Sequence, residues 1–247
     1  MLLNIKSLLR SIKHRATTPA APAAAEEKKL TVDAAVDPLL DEFDGLLSRG
    51  VPDAYRIWRA AQRYLKAGDT KKAAKCQTLN YLLHNSSIPN TVRLGEDVRF
   101  GYGGIGLVIH ADCEIRKGAV VGANVTLGGH SGGKTRLNAA GKHMSVPLIG
   151  EYAHLATGCK VLGGIEVGAF SIVGANSVVT MDVLPLTIVA GAPAREVGRI
   201  TAENCLRYKG MFISLRKVPN EEYIALIKKY QAASISRDCL DKPDSKV

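Results

Sequence analysis

Residues 149–179 read IGEYAHLATGCKVLGGIEVGAFSIVGANSVV, and an aliphatic residue opens each group of six. The same spacing begins at Ile88 and continues to Val179 with two interruptions. The opening residues are Ile88, Leu94, Phe100, Ile109, Ile115, Val121, Leu127, Ile149, Leu155, Val161, Val167, Val173 and Val179. A small or slim side chain stands four positions after most of them, and glycine is common one position after. So long a register predicts a repeat fold.

This rhythm predicts a left-handed parallel β-helix of hexapeptide repeats. Each hexad forms one short strand whose first residue points into the core, and the small residues permit the turn that follows. Three hexads complete a coil, and strands of successive coils stack about 4.8 Å apart through parallel hydrogen bonds. The visible hexads therefore predict roughly four coils.

Two intervals break the six-residue register. Phe100 and Ile109 are nine positions apart, and the segment between them, GYGGIG, is rich in glycine. Leu127 and Ile149 are 22 positions apart, four more than three hexads, and the segment between them contains the polar sequence HSGGKTR. Loops that leave a rigid scaffold often carry recognition, although a corner also tolerates insertions without function.

Composition and periodicity divide the chain into four parts. We predict an amphipathic start and a Pro/Ala linker (residues 1–30), a helical region that forms an N-terminal cap (31–86), the β-helix (87–200), and a C-terminal helix with a tail (201–247). Breaks in the helical region are predicted at Gly50 and Gly68. The C-terminal helix is expected to cover the open end of the β-helix, whose last strand exposes unpaired backbone groups.

The formal net charge of +10 suits nucleic acid, an anionic membrane surface or a phosphate-bearing ligand. Basic residues concentrate in residues 6–15, 56–75 and 207–229, without the interleaved aromatic residues that stack on bases, so nucleic-acid binding is disfavoured. The amphipathic residues 1–15 suggest weak contact with a membrane surface, or simply a packed or frayed helix.

The spacing of the cysteines bears on the cellular compartment of the protein. The five cysteines are scattered and form no C-x-x-C pair, which is typical of reduced thiols in the cytosol. The start of the chain lacks the unbroken apolar stretch of a secretory signal, and no run of apolar residues is long enough to span a membrane. We expect a cytoplasmic protein, with a peripheral position at the inner membrane face as the alternative.

Five segments resemble the serine acetyltransferase branch of the hexapeptide-repeat acyltransferases, a likeness that extends over about residues 88–200. They are VGANVTLGG (121–129), SGG (131–133), KVLGGIEVG (160–168), VGANSVV (173–179) and AGAPAR (190–195). Sugar and polysaccharide O-acetyltransferases share this body. The resemblance implies a homotrimer whose trimers could pair further, and acetyl-CoA bound between neighbouring β-helices. No metal is expected.

The resemblance also implies which residues contact acetyl-CoA. Small residues in the groove would let the pantetheine lie against the backbone: Gly129, Thr157, Gly158, Gly174 and Ala175. Lys160 and Arg195 would face its phosphates, because cations suit that role. For each glycine, turn geometry alone is an equally good explanation.

Transfer of an acetyl group to a hydroxyl requires a base, and histidine titrates nearest to neutral pH. Backbone N–H groups could hold the tetrahedral oxyanion, and no covalent enzyme intermediate is needed. We predict His110 as the base, since it occupies a corner position where the repeat mostly has glycine. The alternatives are that His110 is only an exposed turn histidine, or that another histidine is the base. Asp112 and Glu114 are candidates to orient it. Predicted substrate contacts are Tyr102, His130 and His143.

The acceptor is less constrained. The serine enzymes carry an Asp-His-Ala-Thr-Gly motif where this sequence has GYGGIG, and the segment GLVIH (106–110) is closer to polysaccharide-type relatives. We therefore expect a saccharide or polysaccharide acceptor, with serine as the alternative and a non-catalytic trimeric scaffold as a third option. A zinc-dependent lyase on the same fold is disfavoured, because it needs closely and regularly spaced histidines.

Overall fold

The computed structural model describes residues 50–130 and 133–240, with side chains up to residue 233. The predictions for residues 1–30, including membrane contact, and for residues 31–49 lie outside this part of the chain. Within it, no helix has both the length and the apolarity of a membrane span.

Three sheets, built mostly of parallel two- and three-residue strands, form the faces of a prism, as the hexads predict. Face A contains β1 (Arg93–Leu94), β4 (Glu114–Ile115), β9 (Leu148–Ile149) and β12 (Glu166–Val167). Face B contains β2 (Arg99–Phe100), β5 (Val120–Val121), β10 (His154–Leu155), β13 (Ile172–Val173), β15 (Thr187–Gly191) and, antiparallel at its edge, β16 (Ala194–Arg199). Face C contains β3 (Val108–Ile109), β6 (Thr126–Gly128), β11 (Lys160–Leu162) and β14 (Val178–Val179). The parallel β-helix and its roughly four coils are confirmed.

The core follows the hexad pattern. From Ile109 onward, every hexad-opening residue exposes at most 2% of its surface. The slim residues four positions later, such as Ala119 and Ala153, are buried as well, because the next corner of the prism folds over them. Leu94 and Phe100 of the first coil are only partly buried.

Two helices pack against the first coil. They are α1 (Ala54–Lys66) and α2 (Thr70–His84), and aspartate side chains cap both by accepting hydrogen bonds from backbone N–H groups of the first turn. Ala54 and Trp58 join the core of the prism, and the ring of Tyr55 meets Phe100 edge-on at a centroid distance of 6.1 Å. The breaks before α1 and between α1 and α2 lie at the predicted glycines, Gly50 and Gly68.

The C-terminal segment lies against the outside of the prism. Short 3-10 turns precede α3 (Asn220–Leu240), whose buried Tyr223 and Ile227 pack with Phe170 and Phe212 near face B. The prediction that this helix covers the open end differs from what is observed. Strand β16 pairs with the last parallel strand of face B instead, and so satisfies that edge.

The long interval between hexads is a hairpin that leaves the prism. Leu127 pairs with Val161, 34 residues later, whereas Val161 pairs with Val179, 18 residues later. The difference, 34 minus 18, leaves 16 residues outside the coil, so the interval is one hexad plus 16 and not three hexads plus four. The excursion contains β7 (Arg136–Leu137) antiparallel to β8 (His143–Met144). A Cβ at Gly164 would lie 2.2 Å from the Met144 carbonyl oxygen. Glycine at this position therefore allows the hairpin backbone to pack closely against the prism.

We expect His154 to make stability depend on pH. Burial beneath the C-terminal segment lowers the pKa of His154, although its Nδ1 lies 3.1 Å from the Met211 carbonyl oxygen. The unfolded chain therefore takes up the proton first as pH falls, so stability decreases below the unfolded pKa of about 6.5. Thermal unfolding between about pH 5 and about pH 7.5 should show this decrease, and His154→Gln should reduce it. Equal slopes in both proteins would contradict the prediction.

Candidate functional site

The predicted site residues lie on two corners of the prism. Corner BC joins faces B and C, and corner CA joins faces C and A. Corner BC carries Tyr102, Thr157, Gly158, Gly174 and Ala175, whereas corner CA carries His110, Asp112, Gly129, His130 and His143, the last on the hairpin. In one chain the two groups therefore stand on opposite edges of face C.

Corner BC is a column of stacked turns. The backbone N–H of Asn124 donates to the Ile105 carbonyl, and that of Asn176 donates to the Thr157 carbonyl. Gly158 has φ +78°, and a Cβ there would lie 2.0 Å from the Asn176 Oδ1. Turn geometry and close packing thus explain this glycine without a ligand. The exposed edge of the column is nevertheless lined with small side chains.

Both predicted phosphate-facing cations lie beside corner BC. Lys160 on face C donates from Nζ to the Asn124 carbonyl oxygen at 2.9 Å. Arg195 follows the turn between β15 and β16 and donates to its neighbouring Ala194 carbonyl oxygen at 2.8 Å. Neither cation forms a salt bridge among the described residues. Both charges are therefore available to an anion.

The first turn of corner BC, Gly101–Gly104, differs from the turns above it. It is a 3-10 turn in which Tyr102 and Gly103 have left-handed backbone angles, with φ values of 52° and 73°. Tyr102 is 78% exposed, and its contact with an acceptor stays a prediction. The end of α2 is fastened to this turn, since the Gly106 N–H donates to the His84 carbonyl at 2.9 Å.

On corner CA, the His110 imidazole is exposed. Its Nδ1 accepts the Asp112 backbone N–H at 3.2 Å and lies 4.0 Å from the Asp112 carboxylate. The neutral ring therefore carries its proton on Nε2. To act as a base through Nε2, the ring must first adopt the other tautomer, with its proton on Nδ1. The Nδ1–H group could then donate a hydrogen bond to the Asp112 carboxylate. The Glu114 carboxylate instead accepts hydrogen bonds from the side chains of Arg93 and Arg116.

The hairpin positions the remaining predicted residues. His143 on β8 has its Nδ1 3.1 Å from the Thr135 hydroxyl on the facing segment. His130 packs beside Gly163, where a Cβ would lie 3.5 Å from the His130 Cβ. Gly129 faces the base of the hairpin at Ser145, so this glycine contacts protein on at least one side.

Sequence reasoning missed one histidine near corner BC. His84 ends α2, exposes 6% of its surface and lies under the Gly101–Gly104 turn. Its position just before the first hexad was a weak signal, because a histidine at the end of a helix is common.

The buried cysteines are poor nucleophiles. Burial raises the pKa of Cys113 to about 12, and it raises the pKa of Cys159 to about 12 as well. Both side chains therefore stay protonated at neutral pH. Within residues 50–130 and 133–240, no group of three or more His, Cys, Asp or Glu side chains is arranged to hold a metal ion.

The sequence is similar to serine acetyltransferases over part of its length. No family profile matches it. It is 44% identical to serine acetyltransferase of Bacillus subtilis over 94 residues, which are 38% of this chain and 40% of that protein. A longer match of 147 residues, 31% identical, is to a Schizosaccharomyces pombe protein named provisionally as a serine acetyltransferase, and it covers 60% of this chain and 51% of that protein. The chain thus spans about half the length, or less, of these relatives.

Solved structures of serine acetyltransferases share part of the fold of this chain. Serine acetyltransferase of Vibrio cholerae superposes with a TM-score of 0.51 at 30% identity, over 60% of this chain and 54% of that one. Serine acetyltransferase of Brucella abortus in complex with coenzyme A gives a TM-score of 0.50 at 29% identity, over 59% and 55% of the two chains. These relatives are named serine acetyltransferases, and their names give no support to the saccharide acceptor expected from the sequence. The sequence matches and the shared fold make this chain similar to serine acetyltransferases over up to 60% of its length.

Proposed function

We propose that this protein is an acetyl-CoA-dependent O-acetyltransferase and that serine is its acceptor. The observation that carries the proposal is the likeness to serine acetyltransferases in both sequence and fold. The saccharide acceptor expected from the GYGGIG segment becomes the second candidate, because this segment remains the one clear departure from the serine motif.

We further propose that acetyl-CoA lies along corner BC. The complex of the Brucella abortus relative with coenzyme A supports this choice of ligand. The small side chains of the column leave the backbone accessible to pantetheine, and Lys160 and Arg195 offer positive charge to the phosphates. The two groups of predicted site residues stand on opposite edges of face C, so a site that uses both requires a neighbouring chain. A homotrimer, whose trimers could pair further, meets this requirement.

The reaction we propose is direct transfer. A base takes the proton of the acceptor hydroxyl while its oxygen attacks the thioester carbonyl carbon. Backbone N–H groups stabilise the oxyanion, the C–S bond breaks, and the sulfur leaves as CoA thiol. The protonated Cys113 and Cys159 suit a path without an acyl-enzyme.

The roles of the remaining side chains stay predictions. His110 with Asp112 is the base predicted from the sequence, and Tyr102, His130 and His143 are the predicted substrate contacts. A cytoplasmic location is likewise a proposal, and it rests on the scattered cysteines.

Release of CoA, trapped by a thiol reagent, tests the function. The full chain is incubated with acetyl-CoA and, in separate reactions, L-serine, simple sugars and a cell-surface polysaccharide. We expect release that saturates with L-serine. Saturation with a saccharide alone would reverse the choice of acceptor, and no release with any acceptor, despite binding of acetyl-CoA, would favour the non-catalytic scaffold.

A further inference from the structure

The first turn of corner BC contains no base in its own sequence. The resembling family carries Asp-His-Ala-Thr-Gly at this corner, but the corresponding residues here, GYGGIG, contain no imidazole and no carboxylate. The turn stands in the same column as the small residues of corner BC. If acetyl-CoA lies along corner BC, as proposed above, an acceptor hydroxyl that meets the thioester at the end of this column lies near the turn.

An imidazole from α2 lies next to this turn. The ring edge formed by Cε1 and Nδ1 of His84 faces Gly103. A Cβ built on Gly103 would lie 3.7 Å from His84 Cε1 and 3.9 Å from Nδ1. Among the described residues outside the turn itself, no other heavy atom lies within 4 Å of that position. The missing side chain of Gly103 therefore leaves a space the size of a methyl group beside the ring edge.

Hydrogen bonding leaves Nδ1 of His84 free to accept a proton. Nε2 lies 2.8 Å from the Pro52 carbonyl oxygen, and because a carbonyl can only accept, Nε2 carries the hydrogen. The neutral ring then has its lone pair on Nδ1. No described residue makes a hydrogen bond to that atom. The resting tautomer is thus the one that a base requires, which is not so for His110.

The ring is also held in place. Asn85 ends α2 in the left-handed conformation, with φ 50°. The Ser86 hydroxyl donates to the Gly104 carbonyl oxygen at 2.6 Å and accepts the Leu107 N–H at 2.9 Å. These bonds connect the end of α2 to both sides of the turn. A base fixed in this way loses little entropy when it meets the substrate.

We propose that His84 is the catalytic base, supplied by α2 in place of the histidine that the turn lacks. This proposal rests on the proposed acetyl transfer. The hydroxyl proton of the acceptor passes to His84 Nδ1 as the oxygen attacks the thioester carbon. The same proton then passes to the departing sulfur when the C–S bond breaks, so His84 returns to its starting state and CoA leaves as the thiol. The Pro52 carbonyl stabilises the imidazolium that forms between the two steps.

His84→Gln tests the proposal in the full chain. The glutamine amide keeps a donor for the Pro52 carbonyl but offers no basic nitrogen. We expect kcat to fall by about 10²–10⁴-fold, the range measured for loss of a general base. Binding of acetyl-CoA, measured by calorimetry, and the melting temperature should stay close to those of the unaltered protein. His154→Gln is the matched control, because it also removes a largely buried imidazole near a backbone carbonyl, and it should retain activity.

A second variant tests access to the ring edge. Gly103→Ala places a methyl group in the space beside Nδ1 and should also lower kcat strongly. Its φ of +73° adds backbone strain, so Gly68→Ala serves as the control, with φ +77° and nothing within 4 Å. Gly68→Ala should lose a similar amount of stability and keep its activity.

The outcomes separate this inference from the function. If the unaltered protein transfers acetyl groups and His84→Gln is equally active, His84 is not the base while the function stands. A large loss in His110→Ala together with activity in His84→Gln would return the role to His110. If the unaltered protein transfers no acetyl group to any acceptor, both the function and the inference fall.

Discussion

Phe170→Ala is expected to lower the free energy of unfolding by about 3–5 kcal/mol, the usual cost of removing a buried aromatic ring. Phe170 is completely buried, and its ring lies 4.8 Å from that of Tyr152, 5.2 Å from that of Phe212 and 5.0 Å from that of Tyr230. Its ring thus connects Tyr230 of α3 and Phe212 of the preceding segment to the prism. The loss corresponds to a fall in melting temperature of roughly 10 °C for a chain of this size.

The measurement is thermal unfolding of the full chain, with limited proteolysis to locate the change. Leu206→Ala is the control, because Leu206 lies in the same C-terminal segment but is 45% exposed, and it should shift the melting temperature little. We expect cleavage of Phe170→Ala to concentrate in residues 205–240. An unchanged melting temperature, or cleavage confined to other parts of the chain, would contradict the role given to Phe170.

Gly122→Ala is expected to destabilise the prism by about 3 kcal/mol, the upper part of the range for overpacking, and to lower acetyl transfer. A Cβ at Gly122 would lie 2.6 Å from the backbone nitrogen of Thr157, 2.9 Å from the Ala156 carbonyl carbon and 3.0 Å from the Leu155 carbonyl oxygen. All three are backbone atoms of the next coil, which cannot rotate away as a side chain can. The two coils must therefore separate at corner BC.

Gly128→Ala is the matched control for this substitution. Its Cβ would meet only a methyl group of Leu162 at 3.5 Å, an ordinary contact. Melting temperature and acetyl-CoA binding should both fall in Gly122→Ala and remain near normal in Gly128→Ala. Equal behaviour of the two variants would show that corner BC tolerates expansion, and would weaken its assignment as the acetyl-CoA groove.

The sequence predicted the β-helix well because the evidence for it is local and repeated. Each hexad opens with an apolar residue whose burial can be read without knowing its neighbours, and Val161, Val167 and Val173 are all fully buried. The long interval between Leu127 and Ile149 was harder. One hexad plus a hairpin and three hexads plus a short loop both return Ile149 to the core, so spacing cannot distinguish them. The pairing of Leu127 with Val161 does.

The site was predicted only in part. Motifs placed the small residues of corner BC and His110, because each lies at a fixed position of the repeat, whereas His143 lies on the hairpin outside the coils. They did not show that the two groups occupy opposite edges of face C, which depends on how coils stack. The sequence pattern also pointed to His110 as the base. It could not show that the His110 Nδ1 already accepts a hydrogen bond from the Asp112 backbone, because that contact depends on the folded turn.

What the sequence alone determined is the repeating body: the three faces, their inward residues and the glycines that turn the chain, since all follow from a six-residue period. Only the tertiary structure decided where α3 packs and what stands beside the glycine turn at corner BC. His84 meets Gly103 and Pro52 through contacts between segments 19 and 32 residues away in the chain. Such contacts leave no periodic signal, because they form only after α2 and the first coil have packed together.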